Sequence, residues 1–188
     1  MVECGHAKIS EAEVERIRAV VAVSPVPVLT HARCRIEDVD AALTTGAPWI
    51  GVFASFNDIS LATKFKGMTR EDVGGMFERT IAYAKRYDLK VRATIEDGGR
   101  TAVRDIFTLA AIAQRAGADR LEQGSVRAPP DRADRAEPRA GVGGDPLAVP
   151  VGEGRRLVLH RRRPAPEHAD VAGDPPRRRS YLTWKETS

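Results

Sequence analysis

Three polar residues alternate along one predicted strand and together could recognise and process a small carboxylic acid. Arg92, Thr94 and Glu96 occupy every second position of the segment RATIED. Because the side chains of a strand alternate between its two faces, all three point the same way. An arginine fork holds a carboxylate, a threonine hydroxyl adds a hydrogen bond, and a glutamate accepts or orients a proton. The spacing is compatible with substrate binding by Arg92 and Thr94 and with acid/base chemistry at Glu96.

The same residues also fit a purely structural role. A buried arginine or glutamate must be paired, because an unpaired buried charge is very costly. Arg92 and Glu96 meet this requirement equally well by pairing with each other or with neighbouring side chains. Residue type alone leaves both interpretations open, and the same holds for Glu3 and His6 near the end of the first predicted strand.

A histidine lies at the end of the second predicted strand, in the segment THARCR. Functional residues of parallel α/β folds gather at the carboxyl ends of strands, so His31 is a further candidate, although a histidine there also serves as an ordinary hydrogen-bonded polar residue. We interpret Arg33, Arg35 and Arg100 as solvated or salt-bridged loop residues. Cys34 is predicted to be a small apolar filler, since no base is evident beside it.

Several kinds of site and protein lack their sequence signatures here. The chain has two cysteines, no CxxC pair and no Cys/His cluster with zinc spacing. The absence of G-x-G-x-x-G and of a Walker A pattern argues against dinucleotide and P-loop nucleotide binding. There is no run of about 18 apolar residues and no apolar signal segment, so we expect a cytoplasmic protein with reduced thiols and no membrane partner.

Short β-prone runs alternate with amphipathic helical patterns over the first 122 residues. Strands are predicted at residues 2–4, 28–31, 49–54, 90–95 and 120–121. Helices are predicted to begin at the cap patterns Ser10-x-x-Glu13 and Thr69-x-x-Asp72, and others cover 36–43 and 101–116. Residues 55–68 are predicted to form a loop. The alternation indicates an α/β fold of parallel βα units, from either a doubly wound sheet or a barrel.

Residues 123–188 have a different composition from the segment before them. They hold nine of the 12 prolines and twelve arginines against one lysine, and they supply the whole net charge of +4. Such a segment buries too little apolar surface to offset the entropy of ordering it. The sequence therefore predicts a domain at 1–122 followed by a low-complexity tail at 123–188, either disordered or translated out of frame.

The basic tail allows a second class of function. Arginine clusters at 161–163 and 177–179 could contact the phosphates of a nucleic acid or another acidic partner. Such binding would weaken steeply with salt. The tail has few aromatic residues and no recognisable binding module, so this alternative, a βα scaffold with a disordered basic arm, is the less favoured one.

Three motifs occur in a fixed order and spacing along the chain. They are T-H-x-x-C-R at 30–35, the loop S-F-N-D-I-S-L-A-T-K-F followed by K-G-M-T-R-E-D-V, and R-x-T-x-E-D-x-x-R at 92–100. With these motifs residues 1–121 resemble the metal-dependent acyl-CoA synthases that include homocitrate, isopropylmalate and citramalate synthases. The resemblance implies a partial (β/α)₈ TIM barrel, comprising about strands 2–5 and the start of strand 6.

The resemblance also implies a reaction in amino-acid biosynthesis. Acetyl-CoA loses a methyl proton, and the enolate attacks the keto carbon of a 2-oxo acid polarised by a divalent metal, namely Mg²⁺, Mn²⁺ or Zn²⁺. His31, Arg92 and Thr94 would contact the 2-oxo acid, and Glu96 would belong to the acid/base network. The implied partners are the two substrates, acetyl-CoA and the 2-oxo acid. A homodimer with a second copy of the chain is left open.

Two metal-binding motifs of these synthases have no match in this sequence. The first-strand pattern D-x-x-x-R-[DE]-G and the seventh-strand H-x-H are absent, and His160 and His168 of the tail do not replace them. With about four of eight βα units represented, we expect the chain alone not to catalyse the condensation. A partial barrel also leaves open sheet edges, which favour pairing with another chain.

Overall fold

The computed structural model describes residues 1–124, 148–150, 155–161 and 180–186. The first five strands, β1 to β5, are Val2–Glu3, Val28–Arg33, Trp49–Ala54, Lys90–Ile95 and Arg120–Gln123. Three more strands follow in the tail, namely Ala148–Pro150 (β6), Arg155–Arg161 (β7) and Ser180–Glu186 (β8). The helices α1 to α5 are Glu11–Val23, Ile36–Leu43, Asp58–Thr63, Arg70–Lys85 and Val103–Arg115. Strands β1 to β5 are parallel and lie side by side in chain order. A doubly wound sheet reverses its strand order, so this order favours a barrel-type winding.

The helices cover one face of the sheet because alternate strand residues are apolar. Ile50, Val52, Ala54, Val91, Ala93 and Ile95 are all buried on this face. Helix α4 meets them with Val73, Phe77, Ile81 and Ala84, which recur at the spacing of a single helix face. The opposite face of the sheet, called the inner face below, carries the other half of each strand.

Side-chain caps mark the starts of two of the four predicted helices, α1 and α4. At Thr69 and Asp72 both bonds of a capping box are formed. At Ser10 the hydroxyl accepts from the Glu13 amide at 3.2 Å, whereas the Glu13 carboxylate accepts from Arg16. The predicted loop at 55–68 contains α3, a helix that sequence periodicity did not indicate. Its cap is Asn57, whose side chain accepts from the Ser60 amide at 2.8 Å.

The predicted tail contributes three strands to the same sheet. Strand β8 pairs antiparallel with β5 and with β7, and β6 pairs antiparallel with β7. Composition predicts no regular structure there, but the short runs RRLVLHR and SYLTWKE are rich in β-forming residues. The rest of the tail lies outside the described residues, including the arginine clusters at 161–163 and 177–179 apart from the backbone of Arg161. No helix in the described part of the chain is long and apolar enough to cross a membrane.

Strand register sets the composition of the inner face. His31 of β2 is opposite Gly51 of β3, and Gly51 is opposite Arg92 of β4. One level further along the strands, Thr94 is opposite Phe53 on one side and Glu122 on the other. The register thus brings polar residues from three strands, β2, β4 and β5, to one surface.

Candidate functional site

Arg92 is the centre of a charged group on the inner face, and its side chain is 5 % exposed. Its Nη1 donates to Glu3 Oε1 at 2.7 Å and lies 2.9 Å from Glu122 Oε2, while Nη2 donates to Glu3 Oε2 at 3.3 Å. The two carboxylates supply the compensation that a buried guanidinium requires. The inner-face cluster, as we name it, comprises Glu3, His31, Arg92 and Glu122.

The contact between Glu3 and Arg92 reports the curvature of the sheet. Strands β1 and β4 are separated by two others, so their backbones would lie roughly 14 Å apart in a flat sheet. Contact over that separation indicates that the sheet curves toward its inner face, as the wall of a barrel does. Arg92 therefore links the first parallel strand to the fourth and, through Glu122, to the fifth.

Gly51 leaves the space in which His31 and Arg92 approach each other. A Cβ atom at residue 51 would lie 3.2 Å from His31 Nδ1, 3.4 Å from Arg92 Nη2 and 3.0 Å from Leu29 Cδ2. The other ring nitrogen of His31, Nε2, lies 3.3 Å from Glu3 Oε2. A glycine inside a strand commonly marks a close approach, so this sequence signal could have singled out Gly51.

The ionisation of His31 follows from its surroundings. Burial lowers the pKa of His31, the positive charge of Arg92 lowers it further, and the negative charge of Glu3 partly opposes them. The net effect is a pKa below the ordinary value of 6.5. At neutral pH the ring is therefore uncharged and offers one nitrogen donor and one acceptor.

Two polar atoms on β4 have no hydrogen-bond partner among the described residues. They are Nε of Arg92 and Oγ1 of Thr94, and both are buried. They stand two residues apart on the inner face of one strand. Since buried polar groups are usually paired, two unpaired neighbours mark a place where a ligand could complete the bonding.

Glu96 lies apart from the cluster. Its carboxylate accepts a hydrogen bond at 2.7 Å from Nζ of Lys64, the residue that follows α3. The pair between Arg92 and Glu96 that sequence alone allowed is not formed, because Arg92 bonds Glu3 and Glu122 instead. The structure thus brings together His31, Arg92 and Thr94, and it places Glu96 in a neighbouring pocket.

Asp38 contacts two of the remaining candidates near the strand ends. Arg33 donates to Asp38 through Nε at 2.7 Å and Nη2 at 2.8 Å, and His6 Nε2 lies 3.1 Å from the same carboxylate. Burial alone would raise the pKa of Asp38, but the hydrogen bonds from Arg33 outweigh it and lower the pKa. Burial raises the pKa of the Cys34 thiol to about 12. Of the two alternatives predicted for Arg33, solvation or a salt bridge, the structure shows the salt bridge, at the end of β2 rather than in a loop. Cys34 is a buried free thiol, as expected for a small filler residue.

The residues at this site do not fit a divalent metal. Among the described residues no group of three His, Cys, Asp or Glu side chains is placed to hold a metal ion. Within the cluster, both carboxylates are already engaged by a guanidinium, whose positive charge would oppose a second cation. No chemical step is therefore assigned to a metal on these residues.

Known proteins resemble the βα part of the chain. The family model described as HMGL-like matches residues 1–126. Homocitrate synthases of Saccharolobus islandicus and Sulfurisphaera tokodaii are 34 % and 32 % identical over 126 residues, which are 64 % of this chain and 27 % of each relative. The matched segment thus spans about a quarter of the length of these curated relatives.

A solved structure supports the architecture. The Bacillus subtilis HMG-CoA lyase superposes with a TM-score of 0.52 at 13 % sequence identity, covering 60 % of this chain and 39 % of that one. A likeness at this identity concerns the fold alone. Together with the consecutive parallel strands it confirms the predicted partial barrel.

Proposed function

Because this chain belongs to the HMGL-like family, we propose that its inner-face cluster binds the 2-oxo acid of a condensation with acetyl-CoA, the reaction class of its homocitrate synthase relatives. The observation that carries the proposal is the buried Arg92, whose Nε is unpaired, together with the unpaired Thr94 hydroxyl two residues further along the same face of β4. A carboxylate placed there would accept from both atoms, which is the bonding that a small 2-oxo acid offers.

Binding of an anion requires a change in the charge of the cluster. The two carboxylates at Arg92 outnumber the one guanidinium, and each of them would repel a further carboxylate. Glu3 is the partner placed to move, since its side chain is 41 % exposed and that of Glu122 is 15 % exposed. We infer that the substrate carboxylate displaces Glu3 from Arg92.

The chemistry of the proposed reaction needs a base near the acceptor. The base removes a methyl proton of acetyl-CoA, and the resulting carbanion adds to the keto carbon while the C=O π bond opens to an alkoxide. The alkoxide then takes up a proton, and water hydrolyses the thioester to a carboxylate and free CoA. Glu96 is the residue we propose for the proton transfer, once Lys64 has moved from its carboxylate. Because the described residues fit no metal, we propose acceptor binding for this part of the chain and expect no CoA release from the chain alone.

Calorimetric titration with 2-oxoglutarate tests the proposal. Charge-assisted hydrogen bonds contribute about 1.5–3 kcal/mol, so Arg92→Gln should weaken binding about tenfold or more. Arg104→Gln is the matched control, since the Arg104 side chain is 83 % exposed and belongs to α5, which packs on the helix-covered face of the sheet. Glu3→Gln should strengthen binding, because it removes the competing negative charge.

Two further results bear on the interpretation. Thr94→Val keeps the shape and charge of the site, so a several-fold loss of affinity in this variant would support direct contact even if Arg92→Gln folds poorly. Equal affinities for the unsubstituted chain, Arg92→Gln and Thr94→Val would show that 2-oxoglutarate binds elsewhere.

A further inference from the structure

A cavity of about 460 Å³ lies at the carboxyl ends of β2 and β3, against the segment that joins α3 to α4. Its apolar lining consists of Phe53, Phe65, Met68 and Met76, and we call it the methionine pocket. The volume falls in the range of small-molecule sites. Methionine and phenylalanine side chains adapt well to an apolar ligand of variable shape.

Charged side chains also line this pocket, and they leave an excess of positive charge. Arg33 is compensated by Asp38, and Lys64 is compensated by Glu96. Arg35 is exposed, and its guanidinium has no hydrogen-bond or ion-pair partner among the described residues. A ligand that fits this pattern combines an apolar chain with a negative charge.

We propose that the methionine pocket binds an anionic acyl compound, with its chain against Met68 and Met76 and its charged group at Arg35. The pocket contains Glu96, the base proposed above, but neither Arg92 nor His31, so failure of ligand binding here and failure of 2-oxo acid binding at the inner-face cluster are separate results. It is adjacent to that cluster all the same, because Phe53 is opposite Thr94 in the sheet and Glu96 lines the pocket.

The methionine composition of the chain provides a direct assay. The chain has three methionines, and Met1 is outside the pocket. In a chain labelled with [methyl-¹³C]methionine, titration with octanoate should shift the Met68 and Met76 signals with saturation and leave Met1 in place. Met68→Leu and Met76→Leu assign the two signals with little change in volume.

Two probes of opposite charge and two matched variants test which class of ligand binds. Octylammonium, which has the same chain and the opposite charge, should bind at least several-fold more weakly than octanoate. Arg35→Glu should weaken octanoate binding, whereas Arg79→Glu, an exposed change on α4, should not. No saturable shift, equal shifts of all three methionines, equal binding of the two probes, or an unaffected Arg35→Glu variant would each overturn the proposal.

Discussion

Arg92 affects the ionisation of its neighbour His31. The guanidinium lowers the pKa of His31, and Glu3 acts in the opposite direction on the same ring. Both effects operate in a partly buried site, where charges are screened less than at a surface. The ionisation of His31 is therefore a sensitive reporter of whether this cluster is formed.

Single substitutions should move the pKa of His31 in opposite directions. Arg92→Gln removes a positive charge and should raise the pKa, whereas Glu3→Gln removes a negative charge and should lower it. The pH titration of the His31 ring signals by NMR measures both, with His31→Gln used for assignment. Shifts of the same sign in the two variants would show that the described contacts do not govern the ring.

The same ionisation predicts a dependence of stability on pH. Because the folded-state pKa of His31 lies below 6.5, the unfolded chain takes up its proton first as the pH falls through that value. The contribution of His31 to the free energy of unfolding is therefore complete above pH 6.5 and is lost as the pH falls toward the folded-state pKa. Urea unfolding between pH 7 and 5 should show a shallower decline for His31→Gln than for the unsubstituted chain. An unchanged slope would contradict this account.

Sequence could identify the candidates at this scale but not their partners. Alternation correctly places Arg92 and Thr94 on one face of β4. The cost of an unpaired buried charge indicates, in addition, that a buried Arg92 needs a carboxylate partner. The carboxylate that forms the bidentate contact, Glu3, is 89 residues away in the chain. Such a contact depends on strand order and curvature, which no local pattern encodes.

At the scale of elements, two adjacent glycines of α4 have opposite surroundings. A Cβ at Gly74 would lie 2.9 Å from Ile112 Cδ1 and 3.2 Å from Phe56 Cζ, so the glycine permits close packing of α4 against α5. A Cβ at Gly75 would meet only the mobile end of Arg79, at 3.1 Å. The first glycine is needed for packing, and the second only weakens the helix.

Alanine substitution at these positions should have opposite effects. Gly74→Ala overpacks a buried contact and should destabilise the chain by about 1–3 kcal/mol. Gly75→Ala should stabilise it by about 0.5–1 kcal/mol through helix propensity. Urea unfolding of the two variants checks the pair, and destabilisation of equal size at both positions would contradict the described packing.

Elements with strong local signals were predictable, and those without them were not. The parallel strands and the helices α4 and α5 follow from apolar periodicity, and Thr69 marks the start of α4. Helix α3 has only six residues, too few to show a period, and Asn57 is its one clear start signal. In the tail, an overall arginine and proline bias obscured the short β-forming runs of β7 and β8.

At the scale of the molecule, strand β8 covers the edge of the parallel sheet. Leu121, Glu122 and Gln123 of β5 are paired with Leu182, Tyr181 and Ser180 of β8. An open strand edge presents unpaired backbone groups to other chains. The strands of the tail therefore protect the β5 edge, which a partial barrel would otherwise expose.

Removal of this cover should promote self-association. A chain ending at residue 124 lacks β8 and should leave the β5 edge open. Leu182→Pro in the full chain should weaken the pairing of β8, because proline cannot donate a backbone hydrogen bond to the sheet. Light scattering coupled to size exclusion should show larger species for both variants than for the unsubstituted chain at the same concentration. Identical masses would show that β8 does not protect this edge.

The central claim is that Arg92 receives a substrate carboxylate at Nε on the inner face. The most direct measurement follows the Arg92 Nε–H signal in a ¹⁵N-arginine-labelled chain during addition of 2-oxoglutarate, with Arg92→Gln used for assignment and 2-butanone as a keto compound that lacks a carboxylate. The account predicts a saturable downfield shift of this signal with 2-oxoglutarate and none with 2-butanone. An Arg92 Nε–H signal that stays unchanged while 2-oxoglutarate binds to the chain would contradict the account.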